Sequence, residues 1–452
     1  MTPARPHSGS GGLAPVAAAM ACGYTVQQTN APVLQPLAEQ LGVDDLWMGV
    51  VITVSGCVIL LSNPLWAFAS RRWGSRGVLL LGLVGITLSS LAFAGVVRWA
   101  PDSPALGATL AMLTRGVVFG LAVAAVEVAG PACLLTDTTT SPQRLRAAAV
   151  VAGSQGFGFL AGPLLGASTN PSGLTVLLLA PVAPLIVVIV LVARLAPQGR
   201  PVRRAAAAGS ALPFIRKVWS CLLVVGSLLL LVACIQVITG SLLKERNGLT
   251  TDQAGRMAGW FLVASSVPFL LAQAAATVWT PQQTARMVGG GLLLTVVGML
   301  PMTFGQSSPW LLAGYLTTSA GIGLALSSCY EYVSRADTRQ DSIQAGSAIA
   351  GAAGVAFAIG PLMAVTLYAA DSTAPFLAAT ALLLLSGACL LLYRPVTGRH
   401  RRPVRTNPWE AAPGPAATRW DDSPASHPGS LPGTARRVPN CRNSERTKPG
   451  TP

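Results

Sequence analysis

Apolar runs of about 20 residues recur along this chain, and a run of that length, wound as a helix, crosses the roughly 30 Å hydrocarbon core of a bilayer. Twelve such helices are expected, over residues 12–36, 46–69, 77–98, 105–129, 145–167, 173–193, 218–243, 253–276, 287–305, 309–330, 344–369 and 374–393. With 52% hydrophobic and only 10% charged residues, no soluble domain of useful size remains. The expected class is an all-α integral membrane protein.

The net charge of +15 invites a nucleic-acid reading. However, 11 of the 31 Lys and Arg follow Leu392, and most of the others sit in short connections. Counted by side, 15 basic residues fall on one face, among them Arg71, Arg72, Arg76, Arg144 and Arg146, against four (Arg98, Lys244, Arg246, Arg256) on the other. That is the positive-inside bias, so both termini are expected in the cytoplasm, with no nucleic-acid partner. Arg5 followed by a long helix does not mark a cleaved signal peptide. Rare Lys with abundant Arg and Ala hints at a GC-rich bacterial genome, hence an inner (plasma) membrane. The eight cysteines are scattered and indicate neither a disulfide framework nor a metal site. His7, His400 and His427 all lie in the tails, which excludes His-based protease chemistry. No G-x-x-x-x-G-K-[ST] loop occurs, so ATP is not hydrolysed by this chain. No enzyme and no cofactor is expected, and energy comes from an ion gradient or the substrate's own gradient.

Residues 137–166 combine a polar turn, with Asp137 and Arg144, and an apolar helix carrying Gly158, Gly162 and Gly166 at intervals of four. Such glycines stack on one face and admit a neighbouring backbone. Pro163 removes a helix hydrogen bond and bends the helix there. A rocking helix and static close packing both fit this pattern. The motif resembles the fifth-helix signature G-x-x-x-G-P-x-x-G of the major facilitator superfamily, drug-and-metabolite proton antiporter branch, and the preceding Asp137, Thr139 and Pro142 resemble that branch's D-x-T-s-P turn. The resemblance covers residues 12–393 and implies multidrug or metabolite efflux.

Two six-helix groups are separated by a basic linker, 194–217. An offset of 198 aligns Gly162-Pro163 with Gly360-Pro361, Gly156 with Gly354 and Phe159 with Phe357. An offset of 206 aligns Leu37 with Leu243, Glu39 with Glu245, Gly42 with Gly248 and Gly49 with Gly255. The groups therefore read as pseudo-repeats: bundles 1–193 and 218–393, followed by a Pro- and Arg-rich tail, 394–452, that cannot bury a core. Parallel repeats place a substrate site between the halves near the midplane.

Between helices 2 and 3, Arg72, Gly74 and Arg76 resemble the family's G-x-L-x-D-R-x-G-R-R loop, but Arg71 stands where the family has Asp. The resemblance implies a gating latch. Here either Arg71 finds a carboxylate in Glu331, Asp337 or Asp341, or it is only a topology charge. Arg115 and Glu127 are the ionisable residues of helix 4 that stand clear of the loops. A mid-helix Arg costs at least ~3 kcal/mol unpaired and must face a cavity or a polar partner. The two lie roughly 18 Å apart along the axis and cannot pair. The partial match to R-x-x-x-G implies proton transfer or anion binding for Arg115, against a structural role bonded to carbonyls. Glu127 reads as proton carrier or as interfacial. Helix 1 has no acid before Glu39 but offers Tyr24, Gln27, Gln28 and Asn30, and the 206 offset puts Gln236 opposite Asn30. Buried amides either line a shared cavity or bond between helices. Gln155, Gln273, Tyr315 and Tyr330 are further candidates, and Pro32 and Pro36 read as the end of helix 1.

The expectation is a monomeric secondary transporter exporting a small amphipathic molecule in exchange for protons. Import or facilitated diffusion is the alternative, and a non-transporting sensor a more distant one.

Overall fold

A computed structural model describes residues 13–99, 103–135, 141–168, 173–196, 212–276, 284–334 and 339–392. The linker centre, the tail and Asp137 lie outside the described residues, as do the side chains of Arg144 and Asp341. The described chain is helical throughout and forms twelve spans. They are α1 (Leu13–Thr29, continued by a 3-10 turn Ala31–Val33 and a helix Leu34–Leu41), α2 (Asp45–Trp73), α3 (Ser75–Arg98) and α4 (Pro104–Ala111, a π-turn Met112–Val118, then Phe119–Leu135). Next come α5 (Ser141–Ala167), α6 (Leu174–Leu179 and Val182–Leu195), α7 (Leu212–Asn247) and α8 (Thr251–Ala276). The last four are α9 (Thr284–Phe304), α10 (Ser308–Ser334), α11 (Arg339–Ala370) and α12 (Ala374–Leu392). Ten of them are long and apolar enough to cross a membrane by themselves. The other two are α5 and the interrupted α1.

Apart from α1, α4, α7 and α11, the ends lie close to the expected positions. At Pro32 and Pro36 the chain does not stop, as the sequence suggests. It breaks after Thr29 and resumes to Leu41, because a proline in the first turn of a new helix forfeits no needed donor. The true stop is Gly42, left-handed at φ 63°. Its counterpart in the second half, Gly248, ends α7 with the same φ of 63°. Both ends are closed by matching bonds: Val43 N–H donates to Ala38 O at 3.0 Å, and Leu249 N–H to Lys244 O at 3.2 Å. Each is the 6→1 bond of a glycine-terminated helix.

Two apolar cores sit one in each half, around Leu79, Leu83 and Phe119 in the first and Leu228, Tyr315 and Phe376 in the second. A third cluster bridges them at one end, where Leu37, Met48 and Phe93 meet Val237 and Val365. Leu61, Leu88, Leu293 and Leu384 face outward, as side chains bathed by lipid must.

Candidate functional site

Between the halves lies a cleft enclosing ≈ 660 Å³ of space, its open mouth included. The first half contributes Gln28 of α1 with Gln155, Phe159 and Pro163 of α5. The second contributes Gln236 of α7, Ser265, Ser266 and Phe269 of α8, and Ser319 of α10. Phe159 and Phe269 meet edge to face across it, centroids 5.7 Å apart. Its described lining is thus amides and hydroxyls on an aromatic and aliphatic wall, with no ionisable side chain. That pattern suits an apolar body carrying hydrogen-bonding groups.

Two seams flank the cleft and repeat each other. On one, α2 meets α11: a Cβ at Gly56 would lie 2.6 Å from the Phe357 carbonyl carbon, and Thr53 Oγ1 accepts from Leu362 N–H at 3.0 Å. On the other, α5 meets α8, with Gly259 against Ala167 and Gly156 against Leu270. The repeat partner of Gly156 is Gly354, which packs on Leu60 at the first seam. Small residues at matching places let backbones touch along both seams.

At the end carrying Glu39 the halves are tied by two polar sets. Gln35 Nε2 donates to Ser241 Oγ at 2.7 Å and to Asp45 Oδ2 at 3.2 Å, while Ser241 Oγ donates to the same carboxylate at 3.3 Å. Lys244 Nζ lies 3.3 Å from Glu39 Oε1 and donates to Thr251 Oγ1 at 2.7 Å, and Thr251 in turn donates to Glu39. The Thr251 hydroxyl above all holds the Glu39 carboxyl below its ordinary range against the opposing effect of burial, and the Lys244 ammonium adds to the lowering. The 206 register held the signal for this set, because it pairs Gln35 with Ser241 and Asp45 with Thr251. Sequence reasoning passed over these residues because polar groups at a helix end need no special explanation.

The Gly158, Gly162, Gly166 stripe faces α1 within the first half. Its partners are Tyr24, Gln28 and Pro32, themselves spaced by four, so the two helices mesh in register. A Cβ at Gly162 would sit 2.8 Å from the Gln28 carbonyl carbon. The second half repeats the arrangement: Gly360 of α11 lies against Ala233 and the Leu230 carbonyl of α7.

Arg115 is buried inside the first half, in the π-turn of α4. With the Asn30 amide oriented so that its oxygen faces the guanidinium, Arg115 donates to it from Nε at 2.6 Å and from Nη2 at 3.1 Å. Nη2 also reaches the Gln27 carbonyl at 3.5 Å, and the guanidinium stacks 3.7 Å above the Phe119 ring. Asn30 and Gln236, opposite each other in the repeat, therefore have different surroundings: one holds Arg115, the other lines the cleft. Glu127, on the same α4, is half-buried, with no hydrogen bond or ion pair among the described residues. Tyr24 of α1 and Tyr330 of α10 lie within electrostatic range of each other, and Glu127 within range of Tyr24. Tyr315, by contrast, is fully buried and shares a 2.8 Å hydrogen bond with Thr239.

The Major Facilitator Superfamily model matches residues 16–251, more than half of the chain. The chain belongs to the Major Facilitator Superfamily. Its fold is similar to that of the human organic anion transporter MFSD10 (TETRAN), at TM-score 0.65 and 19% identity, covering 85% of this chain and 100% of that one. A bacterial homologue of the human lysosomal transporter Spinster, inward-facing and occupied, aligns at TM-score 0.62 and 13% identity over 84% of this chain and 96% of its own. The same homologue, inward-facing and unoccupied, aligns at TM-score 0.59 and 13% identity over 86% and 93%. No curated protein sequence matches the chain. The chain is accordingly a multi-pass membrane protein with the major facilitator transporter fold.

Its major facilitator loop between α2 and α3 turns on Gly74, at φ 88°, which side-chain-bearing residues rarely adopt. Arg71 and Arg72 are exposed in the last turn of α2, where a cation favours the helix dipole. Arg76 donates to the Ala193 carbonyl and so caps the end of α6. Among the described residues Arg71 has no ion-pair partner. Of the carboxylates considered for it, Asp337 lies outside the described residues, Asp341 falls in the first turn of α11, and Glu331 belongs to α10 rather than to the loop.

Proposed function

We propose that this chain is a secondary transporter of the plasma membrane that exports a small amphipathic molecule in exchange for protons, the halves rocking about the paired seams. The observation that carries the reading is the cleft itself, walled by amides and hydroxyls from both halves. Its described lining holds no Lys or Arg, so an uncharged amphipathic ligand fits it better than the organic anions named for the human neighbour. Glu127 is the proton carrier in this reading. It is half-buried, close to Tyr24, and among the described residues is bound to no basic group that would fix its charge. The termini are cytoplasmic, the Glu39 end faces outward, and the chain works as a monomer. The absence of an acid in α1 before Glu39 favours one second reading, import or facilitated diffusion without coupling through α1.

Counterflow and pH-gradient-driven flux in proteoliposomes, with a panel of radiolabelled uncharged antibiotics, test the proposal. Glu127→Gln is expected to keep counterflow and lose uphill transport. Unchanged uphill transport in that variant removes Glu127 from the mechanism.

A further inference from the structure

A second cavity lies wholly inside the first half, separate from the cleft, between α1, α3, α4 and α6. Three of those four helices depart from α-geometry beside it. α1 breaks after Thr29, α4 makes its π-turn around Arg115, and α6 is interrupted at Ala180 and Pro181. Interrupted helices at membrane depth are tolerated where they line a cavity, and π-turns cluster at functional sites. Asn30, Arg115 and Pro181, one from each break, all line this cavity.

Its polar groups divide unevenly. The Thr29 hydroxyl donates to the Thr25 carbonyl at 2.7 Å, and the Ser89 hydroxyl donates to the Thr114 carbonyl at 2.7 Å. What is left over is mainly donors. The Ser90 hydroxyl, on a residue 7% exposed, has no hydrogen-bond partner among the described residues, and neither has Arg115 Nη1. Arg115, 8% exposed, meets only neutral acceptors and a ring, and the described residues hold no carboxylate that pairs with it. A buried cation surrounded by spare donors is completed by an anion. With a free volume of ≈ 10 Å³, the cavity takes an occupant about the size of one atom.

We propose that the Arg115 cavity is a binding site for a monoatomic anion, chloride, held by Arg115 and Ser90. The ion neutralises the guanidinium and ties α3 to α4 across the break in α1. This site is independent of the substrate carried in the cleft.

The test is thermal unfolding of the purified full chain in lipid nanodiscs. Chloride is titrated into potassium gluconate at constant ionic strength, beside radiolabelled chloride retention. A saturable rise in Tm is expected for the parent, reproduced by bromide and not by sulfate, with one chloride retained per chain. Ser90→Ala, which loses one donor, is expected to shift the midpoint about tenfold higher. Arg115→Gln is expected to abolish the response. If Arg115→Gln does not fold, Ser90→Ala and the retention measurement carry the test. Three results overturn the proposal: a chloride response identical in parent and Ser90→Ala, an equal response to sulfate, or no retained chloride. Acetate is the remaining arm. Acetate that displaces chloride and stabilises the protein equally overturns the monoatomic assignment in favour of a carboxylate subsite. None of these readouts measures transport, so the export reading stands or falls separately.

Discussion

Gln35 and Ser241 occupy the same position in the two halves, 206 residues apart, and hydrogen-bond each other at 2.7 Å. A bond between repeat equivalents lies where the axis relating the halves passes. It therefore breaks only when the two bundles separate at that end. Glu39, Lys244 and Thr251 lie beside it and reinforce the same contact. Because this tie is local to one end, it reports directly on which way the cleft opens.

Removing Lys244 weakens that closure. Its ion pair with Glu39 is largely solvated, at 44% and 60% exposure, so the loss is at most about 1 kcal/mol. Lys244→Ala is expected to raise the labelling rate of a cysteine placed at Ser241 by an impermeant maleimide up to about fivefold. An unchanged rate contradicts a role for the pair in closure.

The pH dependence of the same closure has a definite sign. Glu39 titrates below its ordinary value of 4.5 while its partners are engaged, so its contribution is complete above about pH 4.5 and is lost as pH falls through the lowered value. Labelling at this end is expected to be flat from pH 8 to about 5 and to rise only in stronger acid. A midpoint near neutrality contradicts the assignment to Glu39.

Glycine substitutions separate the meshed helices from open positions. Gly162→Ala sets a methyl 2.8 Å from the Gln28 carbonyl carbon, a backbone atom that does not yield, and is expected to cost about 1–3 kcal/mol of stability. A Cβ at Gly153 meets nothing within 4 Å, so Gly153→Ala is expected to be neutral or up to about 1 kcal/mol stabilising. Thermal unfolding of the two variants side by side checks the contrast.

Ser89→Ala strips the Thr114 carbonyl of its hydroxyl donor next to the π-turn. That carbonyl still accepts from the Phe119 N–H, so one of its two hydrogen bonds is lost, and a destabilisation of about 0.5–1.5 kcal/mol with a correspondingly lower Tm is expected. Unchanged stability contradicts a stabilising role for the Ser89 bond.

The twelve spans were legible because a bilayer imposes a length that apolar runs must meet. Places where the sequence misled are those where a helix outlasts the membrane. α7 begins at Leu212 and α11 at Arg339, since Arg216, Lys217 and Arg339 continue a helix in water as readily as they end one. Spacing of the glycines announced a close contact, but the identity of the partner face, Tyr24, Gln28 and Pro32, emerges only when both helices are seen. The offset of 206 contained the Gln35–Ser241 tie. The π-turn around Arg115 left no trace, because an i→i+5 bond requires no particular residue type.

The most direct measurement of the central idea, two bundles rocking about a shared cleft, is transport across a tether. Cysteines replacing Gln35 and Ser241, in a cysteine-depleted chain, are joined by a short cleavable bis-maleimide and counterflow is measured in proteoliposomes. The account predicts that counterflow stops when the tether forms and returns when it is cleaved. Undiminished counterflow through the tethered protein would contradict it.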